Sequence, residues 1–242
     1  NPLSYRNILA VTFTNKATNE MKERLYQMLG DTQKPWIDTF HKFCSAILRR
    51  NAEKIGYQTN FSIFDTTASD RVIKRVLREK HIDEKKNKSK MMSHISAAKN
   101  LGLDSDNYFE HIRLKNRDAM DITECYDRYQ LILKENNAMD FDDLLYNAIR
   151  LFRECPEVLE YYQNRFQYIH IDEFQDNNDL QRQLLYLLSE RDDVENEGVP
   201  ASDQLSEGKL FFVGDEKQSI YRFRGADVEV FKELKESIER CG

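Results

Sequence analysis

The sequence predicts an α/β fold, a parallel sheet flanked by helices, with an all-helical subdomain inserted into it. Three observations carry this. Continuous apolar runs at Asn7–Thr12, Tyr168–Ile171 and Lys209–Asp215 have the length and unbroken hydrophobicity of strands buried on both faces, as in parallel sheets. The first two are followed by apolar residues at helical spacing, and strands that alternate with helices imply parallel crossovers. From about Ala68 to Glu135 strand signals vanish: proline is absent, Gly102 is the one glycine, and helical patterns such as ValIleLysArgValLeu dominate.

After the Asn7–Thr12 strand, Met21, Leu25, Met28 and Leu29 fall on one helical stripe closed by Gly30, and Met21, Leu25 and Met28 are expected in the core. Ile37–Phe40 is a brief extended piece, and Phe43, Ile47, Leu48 and Ile55 then repeat at helical intervals up to Gly56. Phe61–Asp65 reads as a short strand, and Asp65 opens a run of helix N-cap residues. Helices resume at Phe141–Phe152 and after Pro156, a favourable first-turn residue. A further helix follows Tyr168–Ile171, through Leu180–Leu188. The acidic stretch Asp192–Gly208, with Gly198, Pro200 and Ser202, reads as an exposed, mobile loop, and a final helix starts near Asp227.

A chain of 242 residues with 40% hydrophobic content is long and apolar enough to bury a core, which excludes global disorder. Cys44, Cys125, Cys155 and Cys241 lie far apart without metal-ligand spacing, so zinc and a disulfide framework are unsupported and a reducing cytoplasm is expected. No window approaches a membrane span, and the opening residues lack the features of a signal peptide. The net charge of −6 argues against a general polyanion binder, but charge is segregated. Between Arg71 and Lys99 ten basic residues face three acids, whereas Asp192–Glu207 holds six acids and no Lys or Arg. The basic stretch is either a solvated helix face or a contact for duplex DNA.

The run YIHIDEFQDNND sets Asp172 and Glu173 at the end of an apolar strand. Strand ends of open α/β sheets are where nucleotide chemistry is placed. A magnesium–nucleotide site needs one hard carboxylate for the metal and one to orient or deprotonate water, which these two acids could supply. The other reading is that they cap the next helix in solvent. Gln218, just past a neighbouring strand end, is placed to sense a phosphate. Asp140, Asp142 and Asp143 look like helix N-terminal acids favoured by the dipole, a structural role.

The blocks AVTFTNKATNEMKERL (10–25), DTFHKFC (38–44), MDFDDLL (139–145), IDEFQD (171–176) and VGDEKQSIYRFRGAD (213–227) together resemble the UvrD/Rep/PcrA family of superfamily 1 DNA helicases, in the family's order. Arg222 and Phe223, where that family carries Gly and Trp, are more similar to the AddA/RecB branch of helicase-nucleases. The resemblance implies a partial RecA-like domain of the P-loop NTPase type at 1–66 and 138–242, with the helical subdomain at 67–137. It implies ATP and Mg2+ as cofactors, with Asp172 on the metal, Glu173 as catalytic base and Gln218 as γ-phosphate sensor. Thr12, Phe13 and Asn15, and Thr39, Phe40 and His41, match two single-strand contact motifs; Tyr221, Phe223 and Arg224 match the motif coupling ATP to bases. Such contacts suit the chemistry, since aromatic faces stack on bases without reading sequence. Phe13 and Phe40 as core aromatics, and His41 as a helix-start residue, are the plain alternatives.

The implied partners are single-stranded DNA, single/double-strand junctions, the remaining helicase domains of a longer parent, and a nuclease domain or subunit. The implied activity is 3′-to-5′ translocation and unwinding in repair or recombination. No GxxxxGK[ST] phosphate loop occurs; Gly208-Lys209 is the only Gly-Lys pair and lacks the pattern around it. The expectation is a fragment starting just downstream of that loop and ending before the second RecA-like domain, inactive as an ATPase alone. The alternative is a non-catalytic single-stranded DNA-binding module with a vestigial ATP site.

Overall fold

Strand β1 (Ile8–Thr12) sits inside a parallel sheet because its residues from Leu9 to Thr12 are all buried, leaving neither face to water. The computed structural model describes residues 4–30, 34–172, 178–191, 193 and 198–213. Its other strands are β2 (Trp36–Thr39), β3 (Ser62–Ile63), β4 (Ala138–Met139), β5 (Tyr168–Ile171) and β6 (Leu210–Phe212). The α-helices among these residues are α1 (Asn15–Leu29), α2 (Phe40–Asn51), α3 (Thr66–Glu79), α4 (Glu84–Asn100), α5 (Ser105–Ile112), α6 (Ala119–Glu135), α7 (Phe141–Glu154), α8 (Pro156–Arg165) and α9 (Asp179–Ser189). None of them is long and apolar enough to cross a membrane. Two units emerge, Asn1–Ile47 with Ala148–Gly242, and Leu48–Asn147.

In the first unit the sheet order is β2-β1-β5-β6, every pair parallel. The register sets Val11 beside Ile171 and Thr12 beside Thr39. Phe43 of α2 anchors the core, with Trp36 edge-on at 5.3 Å, Phe166 at 5.9 Å and Tyr162 at 6.5 Å. α9 begins with a capping box, Asn178 accepting from Gln181 N while Gln181 accepts from Asn178 N.

Two expectations for this unit are corrected. Met28 is 80% exposed, and Met21 and Leu25 are half-buried, because α1 fully buries only Thr18. Periodicity marks an apolar stripe but not what covers it. β6 was expected as a buried strand, yet Phe211 is 47% exposed: among the described residues β6 pairs only with β5, at the sheet's edge. The described part of Asp192–Gly208 is largely exposed, as expected, with Asp193, Gly198, residues 201–203, Glu207 and Gly208 open to solvent; at its base Glu190 bridges Leu205, Ser206 N donates to Ser189 O at 2.7 Å and Arg191 pairs with Asp193 at 2.8 Å. The helix expected from Asp227 lies outside the described residues.

The second unit is a cluster of helices with one two-stranded parallel ribbon, β3 with β4. Asp65, Asp83 and Asp104 cap α3, α4 and α5 through their carboxylates, as their position before each apolar run leads one to expect. Ile73, Val76 and Leu77 of α3, Met91 and Ile95 of α4, and Ile122, Tyr129 and Leu133 of α6 form its core. β4 was not expected, since two residues carry no readable period. Asn137 enters it with φ 44, and its side chain accepts from Gln58 N at 2.9 Å, which docks the turn before β3.

Lys99 departs furthest from expectation: the last residue of the basic stretch is fully buried, so it is neither a solvated charge nor a contact for DNA. Its ammonium lies 2.6 Å from Asp140 and 2.9 Å from Asp143. These two acids also cap α7 reciprocally, Asp143 N donating to Asp140 at 2.9 Å and Asp140 N to Asp143 at 3.0 Å. Tyr129 OH donates to Asp140 and Gln130 to Asp143. Burial opposes the charge on Lys99, but the two carboxylates hold its affinity for a proton well above the ordinary lysine range. Asp143, buried and beside Asp140, is pushed up to about 6, whereas Lys99 outweighs burial at Asp140 and lowers it.

Lys99→Met is expected to destabilise the chain by about 3–5 kcal/mol at pH 7, since it leaves carboxylates buried without their cation. The urea midpoint measures this. Without Lys99 the carboxylate pKa values rise further, and an acid whose folded pKa is raised favours the protonated native state, so the deficit should shrink as the buffer is made more acidic than pH 7. A deficit that does not change over this range would show that the carboxylates are not its source.

Candidate functional site

All strands of the main sheet run in one direction, so their C-terminal ends share one edge. β1 ends at Thr12, β2 at Thr39, and Asp172 follows β5 directly, its N–H donating to Val11 O at 3.1 Å. Thr12, Thr39 and Asp172 therefore stand on three adjacent strands, at the position where open α/β sheets place ligands. Phe13 and Asn15 follow on the turn into α1, and Phe40 and His41 open α2.

The side chains at this edge differ in what they can touch. Asn15 is exposed, and Phe13, His41 and Asp172 are half-buried. Thr12 and Phe40 are buried, and Thr39 is only 8% exposed, its hydroxyl facing the N–H of Lys42 in the first turn of α2. Burial lowers the pKa of His41, so the ring is neutral at pH 7 and offers a donor and an acceptor rather than a charge. Asp38 accepts from Trp36 Nε1 at 3.1 Å and pairs with Lys22 at 3.5 Å, which ties α1 to β2 below the edge.

Glu173, Gln218, Tyr221, Phe223 and Arg224 lie outside the described residues. What is described brings together Thr12, Phe13, Asn15, Thr39, Phe40, His41 and Asp172. Sequence reasoning passed over Thr14 and Thr18. Thr14 caps α1 by accepting from Ala17 N at 3.1 Å, and its place directly before a helical stripe was a usable signal. Thr18 is fully buried with its hydroxyl 2.6 Å from that of Thr12, a contact no spacing rule announces.

Asp172 could supply one hard oxygen ligand to a divalent cation such as magnesium, which is usually held by one or two carboxylates together with phosphate and water. No cluster of three metal-ligating side chains occurs among the described residues. Lys209 is no phosphate-binding lysine: it is 9% exposed and its ammonium donates to Gln163 O at 3.0 Å. In an NMR titration the His41 ring is expected to take its proton below 6.5, with chain stability falling as pH drops through 6.5, because the lowered folded value disfavours the charged native form. A midpoint at or above 6.5 would show that burial does not set the proton affinity of this ring.

The model of the UvrD/REP helicase N-terminal domain matches residues 1–239. The chain is similar to "ATP-dependent DNA helicase PcrA" of Staphylococcus aureus (strain Mu50 / ATCC 700699), 44% identical over 229 residues, and to the protein of that name from Bacillus subtilis (strain 168), 45% identical over 224 residues. Each alignment takes in 92% of this chain and 28% of the relative, so the chain spans well under a third of their length. Its parallel sheet flanked by helices is of the P-loop NTPase type, and the chain belongs to the UvrD/REP helicase N-terminal domain family.

Proposed function

We propose that the chain is part of the first motor domain of an ATP-dependent DNA helicase that moves 3′ to 5′ along single-stranded DNA and unwinds duplex during repair or recombination. The observation that carries this is the single sheet edge shared by Thr12, Thr39 and Asp172, in a chain 44% identical to proteins named for that activity. The identity to PcrA relatives favours this side of the family over the helicase-nuclease branch suggested by Arg222 and Phe223, and leaves a nuclease partner as the less supported addition.

In this proposal Asp172 holds magnesium and Glu173 takes a proton from the attacking water. Gln218 senses the γ-phosphate, and Tyr221, Phe223 and Arg224 link that site to the bases. Bound ATP supplies the phosphoryl-transfer free energy, and the protein's part is charge placement and exclusion of competing geometry. Exposure divides the single-strand residues. Phe13, Asn15 and His41 would touch the strand, a role that their partial or full exposure supports, whereas the buried Thr12, Thr39 and Phe40 would shape the backbone that presents them.

We assign 1–66 and 138–242 to the RecA-like domain and 67–137 to the inserted subdomain; α4, α5 and α6 fall wholly inside the latter, while the compact helical unit reaches past both of its ends, to Leu48 and Asn147. On that subdomain Arg71, Lys85 and Lys86 are exposed, while Lys88 and Lys90 are paired with Asp70 and Asp118. The former are the candidates for a duplex contact at a junction. A cytoplasmic location is supported by Cys44 and Cys125, buried thiols outside any disulfide.

ATP hydrolysis by the chain alone should be negligible, and should appear, stimulated by single-stranded DNA, in a longer protein that supplies a phosphate-binding loop and second motor domain. Turnover by the chain alone would refute the fragment proposal; inactivity of both would favour a DNA-binding module with a vestigial ATP site. Phe13→Ala should weaken binding of a fluorescent oligothymidylate by about 1–3 kcal/mol if the ring stacks on a base. Unchanged anisotropy titrations would return Phe13 to the core.

A further inference from the structure

The turn between β1 and α1 is held by three threonines. Thr12 Oγ1 lies 3.0 Å from Thr14 O and 2.6 Å from Thr18 Oγ1, and Thr18 Oγ1 lies 3.0 Å from the same Thr14 O. Two hydroxyls and one carbonyl thus close a triangle whose side chains at Thr12 and Thr18 are fully buried. The protons balance. Each hydroxyl has one to give: either Thr12 donates to Thr14 O and accepts from Thr18, or Thr18 donates to Thr14 O and accepts from Thr12. Thr14 O also receives Thr18 N–H at 3.0 Å, and Thr14 Oγ1 receives Ala17 N–H at 3.1 Å. The carbonyl of the turn is consequently tied to the last residue of the strand and to the first turns of the helix at once.

Phe13 and Asn15 both lie inside this tie, between Thr12 and Thr18. We propose that Thr18 is a positioning residue for single-stranded DNA: a buried hydroxyl that touches no ligand but sets the turn carrying Phe13 and Asn15 in the shape that receives the strand. This rests on the proposed role of that edge in strand binding. Capping by Thr14 meets the N–H of Ala17; the additional closure through Thr12 and Thr18 joins the helix to the sheet at the point where the contact residues emerge. Thr18→Val is a clean probe, because it keeps the branched shape and leaves Thr12 able to give its single proton to Thr14 O, so no buried donor is stranded.

The test is fluorescence anisotropy with a labelled oligothymidylate on the full chain, Thr18→Val and Thr18→Ser, with Val76→Ala as a control that lowers stability in the helical core far from this turn in sequence. Thermal unfolding is followed in parallel. Thr18→Val should weaken binding about two- to tenfold, the loss equivalent to one net hydrogen bond. Thr18→Ser should restore it, and Val76→Ala should lower the unfolding temperature without weakening binding. Absence of binding by the parent chain would overturn the strand-binding reading itself. If the parent binds, equal affinity of Thr18→Val, an equal loss in Thr18→Ser, or an equal loss in Val76→Ala would each overturn the positioning role alone.

Discussion

Parallel pairing on both sides of β1 is the constraint from which the rest of the first unit follows. A strand that donates and accepts along both edges and shows neither face to water must be apolar throughout, and Leu9, Ala10 and Val11 meet that demand. Parallel neighbours also cannot be joined by tight turns, so each crossover spends a helix, and α1 and α2 are the first of these. The same geometry aligns the strand ends. Once Val11 is opposite Ile171, Asp172 has nowhere to stand except beside the turn that follows Thr12. Proximity of the acid to the threonine turn is a property of the register before it is a property of any chemistry.

Much of this was legible beforehand, and for identifiable reasons. β1 and β5 were readable because burial on both faces writes itself as an unbroken apolar run. α1 and α8 were readable because a stripe with Gly30 after it, or Pro156 before it, states both period and boundary. Asp140, Asp142 and Asp143 read as helix-start acids from their place alone, and they do stand at the start of α7; the reciprocal cap between Asp140 and Asp143 and their pairing with Lys99 go beyond the dipole that suggested it. The family was legible because five separated blocks kept their order.

The illegible features share a cause, which is that their partners are remote in sequence. Lys99 looked like one more charge on a basic face, and nothing near it announces acids forty-one positions away. Met28 follows the apolar stripe perfectly, but cover is supplied by tertiary neighbours and not by period. Thr18 hides among polar helix-surface residues, since threonine is as common on a solvated turn as in a buried hydroxyl pair. The exposure of Phe211 on β6, which among the described residues pairs only with β5, likewise depends on what lies beside the strand, and its composition alone resembles that of a central strand.

The buried assembly of Lys99, Asp140 and Asp143 also bears on how this sequence can drift. A cation between two carboxylates, all inside the helical unit, is costly to break but not costly to lack: coordinated replacement of such groups by apolar residues of similar volume is often neutral or stabilising. Replacing Lys99 alone strands two carboxylates, and replacing either acid alone leaves a balanced pair but removes half of the reciprocal cap, so the intermediates are worse than either end. These three positions are therefore expected to behave as one inherited character, retained together or lost together, with a fitness valley between. Asp140 and Asp143 bind the character more tightly still, because each also caps the other's backbone at the start of α7, and an apolar pair would have to find that helix a new beginning.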